Sequence, residues 1–214
     1  MSVSLQSSTR VGLGVSVLDR AMGGGVAPGQ VVALTAPAGT QSELFGRLLA
    51  TRAPTRWVST LRPAEEVRDD LEAVAPDAAA NASVVHAPPD ALLSDPQAAL
   101  AGLPPGGHVV VDPVTPLERV DDDGLVDLLT AVKDAVVDSD GVALLHAVGG
   151  ADAPGRETTL CRADETWRLD QRVEDAGVRT RFLVSKRRRG AAMTEPVRLE
   201  LTDQVHVDHS RDIG

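Results

Sequence analysis

The chain contains no tyrosine, two tryptophans and two phenylalanines, so aromatic residues make up only 2% of it. The bulk of any core must therefore come from valine, leucine and alanine. A single cysteine, Cys161, excludes an internal disulfide framework and suits a reducing cytoplasm. No apolar run approaches the roughly 18 residues that a membrane-spanning helix requires. Met1 to Arg10 also lacks the apolar centre of a signal peptide. A cytoplasmic protein without membrane contact is the expectation. Lysine is almost missing: of 21 basic residues only Lys133 and Lys186 are lysines, and 31 acidic residues leave a formal net charge of −10. A surface of that sign repels phosphates, so broad nucleic-acid binding is possible only locally and is not favoured. Disorder of the whole is excluded, because a 214-residue chain with 43% hydrophobic residues can bury a substantial core.

The acidic excess has two readings. One is solubility, since net charge keeps molecules apart. The other is adaptation to a high-salt cytoplasm, where screening over about 3 Å at 1 M lets many carboxylates share a surface. Scarce lysine, abundant Asp, Val and Ala, and few large aromatics match the second, so a halophilic setting is favoured.

Short β-branched runs alternate with segments of helical period, which predicts an α/β fold with a mostly parallel sheet. The glycine-rich stretch Gly23 to Gly29 leads into a strand at Val31 to Thr35. A helix from about Ser42 to Thr51 follows, with Leu44/Leu48 and Phe45/Leu49 at i, i+4 spacing. Trp57 to Ser59 reads as the second strand. Pro63 opens a helix with Glu65 and Glu66 in its first turn and Val67, Leu71 and Val74 on one face. Residues 76–107 are rich in Ala and Pro, with a short strand at Val84 to His86. His108 to Val111 is a buried strand ending on Asp112. Asp121, Asp122 and Asp123 are placed to cap a helix from Gly124 to Asp138, and Val142 to His146 is another apolar strand. The tail changes character: Trp167 to Leu169, Val178 to Ser185, Val197 to Leu201 and Val205 to Val207 predict an antiparallel C-terminal extension. Neither an internal repeat nor a clear boundary divides the chain, so one domain over residues 1–214 is expected.

A strand, a glycine-containing loop and a helix start make a place for phosphate, because backbone N–H groups point outward there. The working form is G-x-x-x-x-G-K-[ST]. Here the eight residues are Ala36, Pro37, Ala38, Gly39, Thr40, Gln41, Ser42 and Glu43, with Ser42 at the lysine position and Glu43 at the hydroxyl position.

Arg10 to Arg20 (RVGLGVSVLDR), followed by Gly23-Gly24-Gly25 and Gly29, resembles the opening segment of RecA-superfamily ATPases of the KaiC/RadA-like branch. The strand Val109-Val110-Val111-Asp112 is similar to the Walker B segment of that family. Ala163 to Leu169 resembles its "AD.v..L" strand. Lys186, Arg188, Gly190 and Val197 to Leu201 resemble its closing hairpin. The resemblance spans Arg10 to the C-terminus. It implies a RecA-like domain that binds ATP and magnesium between neighbouring copies. Gly39, Thr40, Gln41, Ser42 and Glu43 would form its phosphate loop, and Asp112 would serve as magnesium or water ligand. Lys186 and Arg188 would reach a neighbour's phosphates.

The chain departs from that family where the chemistry is done. Ser42 in place of lysine forgoes a charge-assisted contact of roughly 1.5–3 kcal/mol. Glu43 adds a charge that would repel a phosphate by roughly 4 kcal/mol at about 4 Å and an effective dielectric of 20. The family's Glu-Glu pair after the second strand is Leu61-Arg62 here. Little of the phosphoryl-transfer apparatus remains. The expected function is thus a non-hydrolysing regulatory or assembly module that works as a homo-oligomer or with a protein partner. An ATP-binding, weakly hydrolysing NTPase is the alternative, and a DNA-binding accessory of recombination or transcription the third.

Other residues carry weaker signals. Asp112 equally reads as a cap of the turn at Pro113. For Lys186 to Arg189 an ion-pair role, within the chain or between copies, is preferred over phosphate contact. His206 and His209, three apart on a strand, face opposite ways, which argues for solvated histidines over a metal pair. Ser/His/Asp catalysis has no G-x-S-x-G elbow to support it.

Overall fold

The computed structural model of the chain describes residues 10–120, 122–174 and 177–207. Six β-branched runs lie parallel: β1 (Gln30–Ala36), β2 (Thr55–Ser59), β3 (Ala82–His86), β4 (His108–Asp112), β5 (Val142–Val148) and β6 (Glu165–Glu174). Three strands continue the sheet in antiparallel fashion, namely β7 (Gly177–Arg187), β8 (Val197–Leu201) and β9 (Val205–Val207). Among the described residues these form one nine-stranded sheet in the order β3-β2-β4-β5-β1-β6-β7-β8-β9. The inner strands β4 and β5 are buried on both faces, which explains why they read as unbroken apolar runs.

Helices cover both faces. Those on one face are α1 (Ser16–Ala21), α2 (Leu44–Ala50), α3 (Ala64–Val74) and α4 (Pro76–Asn81), packed on Val32, Leu34, Trp57 and Val110. On the other are α5 (Pro89–Ser94), α6 (Pro96–Leu100), α7 (Asp122–Ser139) and α8 (Arg156–Arg162). There the α7 stripe of Leu125, Leu128, Leu129, Val132 and Val136 meets Val31, Val109, Val111 and Leu145.

The few aromatics are concentrated. Phe45 of α2 stacks on Phe182 of β7 with ring centroids 5.3 Å apart, and Trp167 of β6 meets Phe182 edge-on at 5.5 Å. Three of the four aromatic side chains thus join the parallel half to the antiparallel extension, where large flat surfaces bury the most area per residue. The fourth, Trp57, packs against α2 at Gly46, where a Cβ would come within 2.8 Å of its ring.

Several expectations shift. The helix expected from Ser42 starts at Leu44, leaving Ser42 and Glu43 in the preceding turn. Val74, expected on the buried face of α3, is exposed because the helix ends there. Residues 76–107 hold three short helices, each with a proline at its start, where fixed φ suits a first turn. α8 was not foreseen. Asp121, one of the three expected helix caps, and His209, read with His206 as a solvated pair, fall on positions outside the described residues. Among the described residues no helix is long and apolar enough to cross a membrane.

Candidate functional site

β1 and its neighbour β5 send their following segments to opposite faces, toward α2 and α8. A crevice of this kind, at the carboxyl ends of parallel strands, is where α/β sheets place ligands. The loop after β1 runs through Gly39 at φ +85°, a left-handed backbone with no neighbour within 4 Å of an added Cβ. Glycine suits that turn because other residues pay for the conformation in steric strain. Thr40 Oγ1 lies 2.9 Å from the Pro37 carbonyl oxygen and 3.1 Å from Ser42 Oγ, which closes the loop on itself. Gln41 is exposed at its rim.

Ser42 turns inward. Its Oγ is 2.7 Å from Nε2 of His146, and Nδ1 of His146 is 2.7 Å from Oδ1 of Asp112. The Asp112 carboxylate accepts from Nδ1–H, so Nε2 is left to accept from the Ser42 hydroxyl. Sequence reading treated Ser42 and Asp112 separately and gave His146 no role beyond the end of an apolar strand. The signal was nonetheless present: β4 and the neighbouring β5 each run through apolar residues to a polar side chain, Asp112 and His146. Parallel pairing of Val110 with Leu144 and Val111 with Leu145 sets the two ends side by side.

The connectivity is that of a Ser-His-Asp relay, yet the exposure runs the wrong way for nucleophilic catalysis. Ser42 is 1% exposed, whereas the His146 side chain is 5% and the Asp112 side chain 22% exposed. A cleft of about 210 Å³ between α2, α3 and the ends of β2 and β4 is lined by Asp112 and His146, but not by Ser42. A hydrolase must present its hydroxyl to substrate; here the carboxylate faces the opening and the hydroxyl is sealed behind it.

Most other polar groups around that cleft are also paired, although the buried Nε1 of Trp57, which lines it, has no partner among the described residues. Glu43 bonds Arg47 at 3.3 Å, and Arg62 pairs with Asp70 and, at 3.7 Å, with Glu66. The Asp70 hydrogen bond raises the Arg62 pKa. Leu61 beside it is exposed. Above β4 and β5 the buried Arg156 guanidinium donates to both Glu118 carboxylate oxygens at 2.9 and 2.8 Å, and to the Gly149 carbonyl at 3.0 Å. That pair ties the segments after β4 and β5 together and gave no sign in the sequence, its members being 38 positions apart.

Residues 10–214 match the family of unknown function DUF7125. The chain belongs to that family. No curated protein matches the sequence. Among solved structures, the DUF7125 chain is similar to the KaiC-like protein PH0186 from the hyperthermophilic archaeon Pyrococcus horikoshii OT3. The identity is 16% and the TM-score 0.75, covering 93% of this chain and 98% of that one. The similarity shows a KaiC-like, RecA-type fold: a parallel central sheet flanked by helices, with antiparallel C-terminal strands.

Within that fold the sequence motifs of this DUF7125 member acquire local roles. Asp19 accepts the backbone N–H groups of Leu13 at 2.6 Å and Gly14 at 2.9 Å, fixing the entry turn. Asp164 accepts Val31 N–H at 2.9 Å and Lys133 Nζ at 2.6 Å, holding the start of β1. Lys186 and Arg188 lie away from the loop. Lys186 Nζ donates to the carbonyls of Leu160, Cys161 and Ala163, and Arg188 Nη2 donates to Cys161 O at 2.9 Å. Both cations therefore cap the C-terminus of α8, where unpaired carbonyls and the helix dipole attract positive charge. Burial, and then the charge of Arg188, lowers the Lys186 pKa. Arg187, on the opposite side of the strand, bonds buried Glu165 at 3.0 Å. Among the described residues no group of three or more His, Cys, Asp or Glu is arranged to hold a metal ion.

Proposed function

We propose that this DUF7125 chain is a RecA/KaiC-like module that does not hydrolyse ATP and serves a regulatory or assembly role. Its partner would be a second copy of the chain or another protein. The observation carrying this reading is the Ser42–His146–Asp112 chain. The side chain at the lysine position of a degenerate phosphate loop is a sealed hydroxyl. The Asp112 carboxylate, the magnesium or water ligand that the family resemblance implies, already accepts from an imidazole. Gly39, Thr40 and Gln41 keep the shape of a loop, but Glu43 puts an acid where a metal-binding hydroxyl belongs. Leu61 and Arg62 after β2 stand where the family's Glu-Glu pair would orient an attacking water. Magnesium–ATP does not fit this residue set. Lys186 and Arg188 are engaged on the carbonyls of α8, which supports their intramolecular role over contact with phosphate or nucleic acid. The −10 charge supports a cytoplasmic, high-salt working environment.

No magnesium-dependent ATP turnover above background is expected in molar KCl. Turnover that disappears in Asp112→Asn overturns the proposal. The retained backbone turn at Gly39 favours a second reading, ATP binding with weak hydrolysis. Saturable ATP binding in calorimetry, strengthened by Ser42→Lys with Glu43→Thr, would select it. Light scattering on the same sample reports assembly.

A further inference from the structure

The β6–β7 hairpin outruns the strands beside it. β1 pairs with β6 over residues 165–168, and β8 pairs with β7 over residues 180–182. Residues 169–174 of β6 are therefore paired with β7 alone, over about 20 Å at the usual rise of a strand. Their other edge has no strand beside it among the described residues. A two-stranded ribbon is marginal by itself in water, and an open edge is a template for another strand.

The side chains of this segment sort by face. Leu169, Gln171 and Val173 lie on one side, opposite Phe182, Thr180 and Val178 of β7. Leu169 and Phe182 belong to the core, and Gln171 donates to Thr180 Oγ1 at 3.3 Å. The row then ends on Val173 and Val178, which are 83% and 60% exposed. The other side of β6 carries Arg168, Asp170, Arg172 and Glu174, alternating in sign. Arg168 bonds Asp170 at 3.0 Å, and Arg179 of β7 bonds Glu174 at 2.9 Å. Arg172 faces Arg179 across the ribbon, a like-charge pairing, and makes no ion pair of its own among the described residues.

This alternation is complementary to itself when the strand is reversed. Let β6 meet β6 of a second copy in antiparallel fashion about a twofold axis at Gln171. Arg168 then stands opposite the partner's Glu174, and Asp170 opposite the partner's Arg172. Symmetry repeats both pairs, so every charge in the row meets its opposite. On the other side Leu169 meets the partner's Val173. A slip of two residues in either direction sets like charges together, so the row specifies one register. A cleft of about 590 Å³, with Ala36, Pro37, Gly149, Arg168, Leu169 and Asp170 in its lining, opens beside the start of this edge and leaves space for the far end of the partner strand.

We propose that the free edge of β6 is a self-association surface, where residues 168–174 of two copies pair antiparallel and join their sheets into one. The proposal rests on the second-copy form of the proposed function and names its surface. An isologous contact uses the same edge on both copies and so closes as a dimer. Arg172 gains the carboxylate it lacks, and Val173 is covered. Matched pairs also let two copies approach although each carries a net charge of −10. The valines favour protein over nucleic acid as the occupant, since phosphates offer them nothing to pack on.

Sedimentation equilibrium of the full chain over a range of concentrations tests this, in molar KCl and again at lower salt, where charge changes weigh more. A monomer–dimer equilibrium is expected. Asp170→Arg and Arg172→Glu each set two like-charge pairs in the contact and should weaken the dimer about tenfold or more. Mixed one to one, the two variants complement each other at both positions. The mixture should therefore dimerise with nearly wild-type affinity, and the double variant should do so alone. A misfolded variant gives no such rescue. A wild type that stays monomeric overturns the surface and the second-copy form of the function together, while ATP turnover still tests the rest of that reading. A dimer unmoved by either variant, or not restored by mixing, overturns the surface alone. A DNA mobility shift lost in Arg172→Glu without any change in mass assigns the row to nucleic acid and overturns it as well.

Discussion

The two ends of the parallel sheet treat their polar groups in opposite ways. At the carboxyl ends the groups of the crevice are joined to one another: Ser42 to His146 to Asp112, Arg62 to Asp70, and Arg156 to Glu118. At the amino ends, on the face covered by α2, Arg10, Gln30 and His108 keep unmatched atoms. A polar group pays for burial unless it is paired, so pairing closes a site while an unmatched donor leaves it able to take a ligand. The usual ligand position of the fold is the more fully paired one here, and most of the unmatched polar atoms lie at the reverse end.

The contrast can be broken first at Glu118. Removing it strands the buried Arg156 guanidinium, and loss of one partner of a buried ion pair typically costs about 3–5 kcal/mol. Glu118→Ala should lower the unfolding free energy from urea titration by that much, and a loss below about 1 kcal/mol would mean the carboxyl end is not held by internal pairing.

His108 offers the next largest effect. Its pKa falls from an ordinary 6.5 to about 4 in the folded chain, so between those values the unfolded chain binds a proton that the folded chain refuses. Stability present above pH 6.5 should therefore drain away as pH falls toward 4, by roughly 3 kcal/mol in all. Urea titrations of the wild type and His108→Leu across that range test it, the variant being expected to give the flatter profile.

The relay gives the smallest change. His146→Leu leaves the Ser42 hydroxyl and the Asp112 carboxylate without their shared partner and should cost about 2 kcal/mol. Because Ser42 touches His146 directly, the double variant with Ser42→Ala should be non-additive by about 1 kcal/mol or more. Additive losses would show that the three residues do not act as a chain.

Much of the architecture was legible along the chain because buried parallel strands and amphipathic helices leave periodic marks. β1, β4, β5, α7 and the C-terminal strands fall where apolar runs and alternation put them. The short helices between residues 76 and 107 escaped because five or six residues cannot display a helical period. For the site, Ser42, Glu43 and Asp112 were singled out from their order in a loop and strand. His146 was not, since a histidine within an apolar strand gains meaning only from the strand beside it. Lys186 and Arg188 drew attention as a basic run, but their acceptors are backbone carbonyls of α8, and carbonyls carry no sequence signature.

By itself the sequence determined the fold class and the absence of a lysine at the phosphate loop. It also set an acidic chain with two lysines and four aromatics to distribute. These follow from residue identity and local periodicity. The tertiary structure decided where those few residues were used. It placed both lysines on the amino-terminal half of the sheet, on backbone carbonyls and Asp164, and three aromatics at the joint with the antiparallel strands. It also decided which polar groups found partners. Pairing depends on strand order and register, which bring residues 34 and 104 positions apart within 2.7 Å of His146. No local pattern in the chain encodes that distance.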